Sequence, residues 1–205
     1  KRFLIMVLEK YLSQTNFSSY QDFAENYQVL VPENFNFAYD VVDEIALKSP
    51  EKIAMVWCND LGEERVFTFA DMKKYSDKAA NFFQSAGIQK GDPVMLILKR
   101  RFEFWFCILA LHKIGAITIP ATHLLSPKDI VYRNNAADIK MIVCVSEPEV
   151  IGHIEASEEK SPSLKRKALI NEDREGWLNF NTGMESSSEV FVRPVGDQST
   201  HNEDI

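Results

Sequence analysis

Cysteine, basic charge and long apolar runs are all scarce in this 205-residue chain. Its three cysteines, Cys58, Cys107 and Cys144, are too few and too far apart for a disulfide framework or a Cys-x-x-Cys metal pair. Each lies within an apolar run, so we expect buried, reduced thiols in a reducing compartment. Lys and Arg number 23 against 30 Asp and Glu, and this net charge of −7 argues against nucleic-acid binding.

The apolar runs are too short for a signal peptide or a membrane span. The first, residues 3–8, is closed by Glu9 and Lys10 and has no small-residue cleavage site. Another, residues 104–111, ends at His112 and Lys113 and is far shorter than the roughly 20 residues that a spanning helix needs. We therefore expect a soluble, cytoplasmic chain.

Motifs for common catalytic and nucleotide-binding sites are absent as well. The sequence contains no G-x-G-x-x-G, G-x-x-x-x-G-K-[ST], H-E-x-x-H or G-x-S-x-G string. The histidines are widely separated, so we predict neither a catalytic residue nor a metal site within the chain. His123 alone stands out, because it follows a predicted strand end, where open α/β sheets bind ligands. A plain connecting loop explains it equally well.

The chain does have a regular alternation of apolar strands and amphipathic helices. Residues 53–58 and 65–67 flank a turn and predict a hairpin, and Thr68 with Asp71 predicts a capping box at the next helix. The alternation that follows predicts a doubly wound, mostly parallel α/β sheet flanked by helices. The predicted strands are 93–98, 116–120, 141–145 and 168–171, and the predicted helices are 4–12, 20–27, 37–48, 69–86, 102–114, 126–137 and 148–159.

Strings at three places resemble one enzyme family. Residues 67–72 read F-T-F-A-D-M, Gly91 and Asp92 precede the strand at 94–98, and residues 111–120 read L-H-K-I-G-A-I-T-I-P. In this order and at these separations, the chain from residue 32 resembles the N-terminal part of an AMP-forming acyl-CoA synthetase, in the adenylate-forming ligase superfamily.

The branch of the family can be narrowed by further strings. Residues 32–38, 129–133 and 175–180 resemble the medium-chain acyl-CoA synthetase branch, whose members are often labelled acetyl-CoA synthetase. Acetate-specific members carry a Gly-Gly pair in the loop that here reads T-H-L-L, at 122–125. The resemblance therefore implies a longer or branched acid.

The resemblance also implies how the chain is organised. We expect a helical N-terminal extension over 1–36, the α/β N-terminal subdomain over 37–180, and a polar linker over 181–205 that leads to a phosphate loop outside the chain. On family position, the loop of Thr122, His123 and Leu124 is expected to contact CoA. The family's catalytic residues lie beyond Ile205, so we expect an inactive N-terminal fragment that binds no cofactor tightly.

For the parent protein, the resemblance implies ATP, Mg²⁺ and CoA as cofactors and a small carboxylic acid as substrate. The acid and ATP give acyl-AMP and pyrophosphate, and CoA then displaces AMP. No nucleic acid or membrane span is expected, and a homo-oligomer is left open. The alternatives are a freestanding α/β module that binds nucleotide or CoA, a non-catalytic interaction domain, and an adenylating relative that serves peptide synthesis.

Overall fold

The computed structural model describes residues 9–204 and divides the chain into two compact units, one up to Phe35 and one from Asn36 onward. Most of the helix predicted at 4–12 lies outside the described residues, although residues 9–11 are helical. No helix within residues 9–204 is long and apolar enough to cross a membrane. The three-part division at 36/37 and 180/181 stays a prediction.

In the first unit, helix α1 (Tyr20–Asn26) begins where side chains satisfy its first backbone amides. Ser19 is the N-cap and accepts a hydrogen bond from the amide of Asp22. The Asp22 carboxylate accepts hydrogen bonds from the amide and hydroxyl of Ser18 and from Asn26, which lower the pKa of Asp22 to about 2. The helix predicted at 20–27 is confirmed.

The second unit begins with a helix and a hairpin. The helix predicted at 37–48 consists of a π-helical segment (Ala38–Asp43) that continues directly as α2 (Glu44–Lys48). Strands β1 (Ile53–Cys58) and β2 (Glu64–Thr68) pair antiparallel, which confirms the predicted hairpin.

Beyond the hairpin, helices and strands alternate as the sequence predicts. Elements β7 and α7 have no counterpart in the prediction, because a strand of two residues and a helix of six are too short to show a period. The elements are α3 (Phe69–Ser85), β3 (Pro93–Ile97), α4 (Glu103–Ile114), β4 (Ile117–Pro120), α5 (Pro127–Ala136), β5 (Met141–Cys144), α6 (Pro148–Glu155), a 3-10 turn (Glu158–Lys160), β6 (Arg166–Leu169), β7 (Leu178–Asn179), α7 (Phe180–Glu185) and a second 3-10 turn (Gly196–Gln198).

The strands from β3 to β7 form a five-stranded parallel sheet in the order β4-β3-β5-β6-β7. From β3 the chain moves to β4 on one side, then crosses back past β3 to β5 and continues outward through β6 to β7. This order confirms the doubly wound α/β fold. It also creates a topological switch point at the carboxyl ends of β3 and β5.

Helix boundaries follow from local chemistry. Thr68 and Asp71 form the predicted capping box of α3, and Ser126 and Asp129 form a second one at α5. Gly115 ends α4 with a φ of 80°, in the left-handed region that glycine adopts at little cost. These signals explain why the predicted helices begin and end close to their observed bounds.

The two faces of β3 contribute to two hydrophobic cores. Val94 and Leu96, with Leu98 directly after the strand, pack into one core with α3, α4 and α7. Met95 and Ile97 pack into the other with α5 and α6. Each of these side chains is at most 1% exposed. Burial on both faces explains why the strand reads as a continuous apolar run.

Cysteine burial differs from the expectation at one position. Cys107 and Cys144 are buried as expected, and burial raises the pKa of the Cys144 thiol to about 12. Cys58 is exposed, because it ends β1 in the two-stranded hairpin rather than in the main sheet. An apolar run in a strand with only one covered face does not bury every residue.

The segment after α7, expected to be a polar linker, folds back onto the second unit. We call residues 186–204 the C-terminal clasp. The Asn81 side chain on α3 donates to two backbone carbonyls of the clasp, each at 3.0 Å. Arg193 forms a two-pronged ion pair with Asp40, at 2.6 and 3.0 Å. Single polar contacts of this kind leave no periodic pattern, so the sequence could not indicate where this segment lies.

A buried ion cluster joins α3, α4 and the π-helical segment. The ammonium of Lys113, fully enclosed, lies 2.8 Å from the carboxylate of Asp43 and 2.6 Å from that of Asp77. Lys73 lies 2.5 Å from Asp77, and the Tyr39 hydroxyl donates to the Lys113 carbonyl at 3.1 Å. Each of these charges depends on the others, because a buried ion without a partner costs several kcal/mol.

We expect Lys113→Met to lower the free energy of unfolding by about 3–5 kcal/mol, because the variant leaves two buried carboxylates without their central counter-ion. Lys48→Met is the matched control: it removes the same charge from a surface pair with Glu44, worth about 0.5 kcal/mol. Urea unfolding of both variants measures the difference. If Lys113→Met is as stable as Lys48→Met, Lys113 is not the central counter-ion of the buried cluster.

Candidate functional site

The carboxyl ends of β3, β4 and β5 lie side by side, because the three strands are parallel neighbours. The ladder continues past them: the Ala121 amide donates to the Leu96 carbonyl at 2.9 Å, and the Val145 amide to the Ile97 carbonyl at 3.1 Å. The connections after these strands therefore leave the sheet at the same end. Because the chain turns to opposite sides after β3 and β5, a cleft opens between those two connections.

The connection after β3, residues 98–102, carries three consecutive cations, and we call it the β3 rim loop. Lys99 has a φ of 52°, in the left-handed region that residues other than glycine seldom adopt. The Arg101 amide donates to the carbonyl three residues earlier at 3.0 Å, and the Trp57 indole donates to the Arg100 carbonyl at 2.7 Å. Main-chain hydrogen bonds thus fix the path of the loop.

The three cations of the loop differ in their partners. Arg101 donates to both carboxylate oxygens of Glu103, at 2.9 and 2.6 Å, and Glu103 is fully buried in the first turn of α4. The Lys99 ammonium lies 2.7 Å from the carboxylate of Glu147, in a pair that is exposed on both sides. The Arg100 side chain is exposed and has no hydrogen-bond or ion-pair partner among residues 9–204.

The buried carboxylate of Glu103 links the β3 rim loop to the opposite wall of the cleft. Asn181, at the start of α7, donates to Glu103 at 3.4 Å and accepts a hydrogen bond from the Asn171 amide at 2.9 Å. Asn171 follows β6 and has a φ of 58°. Hydrogen bonding to Glu103 raises the pKa of Arg101. The network fixes two connections that border the cleft.

The cleft between β3 and β5, which we call the switch-point cleft, has a volume of about 410 Å³. Its lining includes the three cations of the β3 rim loop; Glu103 and Glu147 pair with two of them, and the charge of Arg100 is left uncompensated, in a chain whose net charge is −7. Such a local excess of positive charge favours an anionic ligand. The lining includes Trp57, Lys99, Arg100, Arg101, Ser146 and Glu147.

A second, larger cleft of about 740 Å³ lies between the ends of β3 and β4, and we call it the β3–β4 cleft. Thr122 and His123 line it, together with Lys99 and Arg100, which also line the switch-point cleft. Leu124 is 78% exposed and its amide donates to the Thr122 hydroxyl at 3.2 Å. The structure thus places Thr122 and His123 in a cleft and Leu124 on the surface. Their contact with CoA stays a prediction.

Sequence reasoning missed the cations of the β3 rim loop. They directly follow the strand predicted at 93–98, so the rule that singled out His123 applied to them equally. Asn181 carried no such signal, because α7 was not predicted. Asn171 ends the strand predicted at 168–171, but its pairing with Asn181 could not be predicted without α7.

Metal-ligating side chains are not clustered in the part of the chain that the structure describes. Within residues 9–204, no group of three or more His, Cys, Asp or Glu side chains is arranged to hold a metal ion. The ion implied by the family resemblance therefore has no ligand that we can assign in this part of the chain.

Comparison with known proteins yields a matching family model and similar sequences. A family model described as AMP-binding enzyme matches residues 42–205. The protein named acyl-coenzyme A synthetase ACSM4, mitochondrial, of Mus musculus is 38% identical over 166 residues, which cover 78% of this chain and 28% of that protein. Acyl-coenzyme A synthetase ACSM3, mitochondrial, of Homo sapiens is 35% identical over 182 residues, covering 85% and 30%. The chain spans less than a third of the length of these relatives.

Solved structures share the fold. The anthranilate CoA ligase AuaEII, in complex with anthranoyl-AMP, matches with a TM-score of 0.74 and 23% identity, over 85% of this chain and 32% of that one. An acyl-CoA synthetase of Brucella canis matches with a TM-score of 0.69 and 25% identity, over 78% and 29%. The arrangement of sheet and helices described above therefore recurs in part of each of these larger chains.

We expect Arg101→Met to lower the free energy of unfolding by about 3 kcal/mol, because Glu103 stays buried without its counter-ion. Lys99→Met is the control: it removes a neighbouring cation of the same loop from an exposed pair, at a cost of about 0.5 kcal/mol. Thermal and urea unfolding measure both variants. Equal effects of the two substitutions contradict a structural role for the Arg101–Glu103 pair.

Proposed function

Because the chain belongs to the AMP-binding enzyme family, we propose that it forms the N-terminal part of an AMP-forming carboxylic acid–CoA ligase. The observation that supports this most is the identity of 35–38% to acyl-coenzyme A synthetases over most of the chain. Those relatives are more than three times as long as the matched segment, so the activity proposed belongs to the whole protein.

The proposed reaction has two steps that balance without a redox partner. A carboxylate oxygen of the acid attacks the α-phosphorus of ATP, and the bond from that phosphorus to the bridging oxygen breaks, giving acyl-AMP and pyrophosphate. The CoA thiol then attacks the acyl carbonyl carbon, loses its proton and displaces AMP. Both steps build negative charge on oxygen atoms, which cationic side chains and Mg²⁺ stabilise.

The part of the reaction that this chain supports is binding at the strand ends. We propose that CoA contacts the connection after β4, at Thr122, His123 and Leu124. Thr122 and His123 lie in a cleft large enough for part of such a ligand, and Leu124 offers an exposed apolar side chain beside it. No catalytic residue is assigned within the chain.

The acid and the compartment are also part of the proposal. The connection after β4 reads T-H-L-L, without a Gly-Gly pair, and on this ground we propose an acid longer than acetate or branched. We propose a cytoplasmic location, because the three free thiols fit a reducing compartment, whereas the names of the curated relatives above place those proteins in mitochondria.

We expect the 205-residue chain alone to catalyse no acid-dependent exchange of pyrophosphate into ATP, because its sequence contains no phosphate-cradling motif. The protein translated from the complete source gene is expected to form AMP and acyl-CoA from ATP, CoA and an acid such as butyrate or isobutyrate. Radiolabelled pyrophosphate exchange and thioester formation measure the two. Exchange by the chain alone, or no thioester from the complete protein with any acid, contradicts the proposal.

A second candidate function is a binding module that holds a nucleotide or CoA without ligating anything. The positive charge of the switch-point cleft favours it, because such a cleft binds phosphate groups whether or not chemistry follows. The complete protein distinguishes the two functions: a binding module binds CoA and forms no thioester.

CoA is expected to shift the backbone amide signals of Thr122, His123 and Leu124 when it is titrated into the ¹⁵N-labelled chain, with weak, millimolar affinity. His123→Ala is expected to weaken binding about threefold, through loss of ring contacts in the cleft. Tyr132→Ala, which removes an exposed ring on α5, is the control. Shifts confined to other parts of the chain contradict the assignment of this loop.

A further inference from the structure

The two clefts share a border, and that border is cationic. Lys99 and Arg100 line both the switch-point cleft and the β3–β4 cleft, at the carboxyl end of the central strand. A ligand that lies across the end of β3 therefore passes over these two side chains. Hydrogen bonds to the main chain of the β3 rim loop hold the backbone from which both side chains project.

Arg100 is the cation of this loop whose charge the structure leaves uncompensated. Arg101 is committed to the buried Glu103, and Lys99 to the exposed Glu147. The Arg100 guanidinium has no partner among the described residues, while its backbone carbonyl holds the Trp57 indole. A guanidinium presents five donors in a planar fork that matches the oxygens of a phosphate group.

We propose that the β3 rim loop is a diphosphate-binding subsite, in which Arg100 binds one phosphate group and Lys99 leaves Glu147 to bind the next. The Lys99–Glu147 pair is exposed on both sides, so exchanging it for a phosphate contact costs little. The proposal deepens the proposed function and depends on it, since it concerns the same strand-end site and names residues for its phosphate-bearing ligand.

The chemistry favours a diphosphate over a single carboxylate. Two adjacent cations, one of them free, match two linked anionic groups, and the clefts on either side leave room for what each end of the diphosphate carries. ATP and CoA both contain a diphosphate joined to adenosine. The subsite is defined by that shared group, and the experiment identifies which of the two molecules supplies it.

The test uses the 205-residue chain and ADP as the probe, with adenosine as the control ligand that lacks phosphate. We expect ADP to shift the backbone amide signals of the β3 rim loop, and adenosine to leave them unchanged. Arg100→Gln is expected to weaken ADP binding about tenfold, whereas Arg166→Gln removes an exposed arginine at the amino end of β6 and changes it less than about twofold. Rising salt is expected to weaken binding to wild type more than to Arg100→Gln.

Titration with ATP and with CoA distinguishes the sources of the diphosphate. Shifts of both the β3 rim loop and Thr122–His123 with CoA, and of the rim loop alone with ATP, identify CoA as the ligand that spans both clefts. If ATP binds the wild-type loop more tightly than CoA does, and Arg100→Gln removes this difference, the ligand of the subsite is a nucleoside polyphosphate. Both outcomes support the subsite.

The subsite is contradicted if Arg100→Gln and Arg166→Gln weaken ADP binding equally, or if ADP shifts no signal of the β3 rim loop. A melting temperature of Arg100→Gln equal to that of wild type excludes misfolding as the cause of lost binding. Failure of the subsite leaves the proposed ligase function intact if the complete protein still forms acyl-CoA. If the complete protein forms no thioester while ADP binding still depends on Arg100, the result supports the second candidate function, the binding module.

Discussion

Strand β3 pairs on both sides and is buried on both faces, and the position of every other strand of the main sheet follows from it. β4 and β5 bond to its two edges, and its alternate side chains supply both hydrophobic cores. A strand in this position cannot carry a charge along its length, because neither face reaches water. The first place where charge is tolerated is its carboxyl end, where Lys99 begins a run of three cations.

The three cations share one short loop but differ in their surroundings. Arg101 turns inward to a buried carboxylate and fixes the loop relative to α4 and α7. Lys99 remains at the surface with a partner that solvent also reaches, and Arg100 remains at the surface without one. One residue of the loop thus forms a buried ion pair, whereas its two neighbours keep their charges at the surface, where we propose that they bind a ligand.

The alternation of strands and helices could be predicted from the sequence because each long element carries its own signal. Thr68 and Asp71 mark a helix start, and the apolar run at 93–98 marks a strand buried on both faces. The strand order could not be read in this way, because it depends on pairing between distant segments. The same limit applied to β7, α7 and the clasp, which depend on contacts such as that of Asn171 with Asn181 rather than on any local period.

The site was predicted only in part for a related reason. Strand ends in an α/β sheet are visible in the sequence, and this brought His123 into consideration. Which strand ends border the same cleft depends on the order β4-β3-β5, and that order makes Lys99 and Arg100 common to two clefts. For Leu124 the sequence located the loop but not the exposure of the side chain, because residues of one loop can face either the cleft or the solvent.

The C-terminal clasp is attached in a way that has a consequence for how its sequence can vary. Asn81 binds main-chain carbonyls of the clasp, and Val190, Val192 and Val195 point largely to solvent. A hydrogen bond to a backbone oxygen does not depend on which side chain that residue carries. Substitutions at these three valines can therefore accumulate without changing the path of the clasp, provided that Asn81, the buried Phe191 and the Arg193–Asp40 pair are kept. Among related chains, we expect this stretch to diverge in sequence while its route over α3 stays the same.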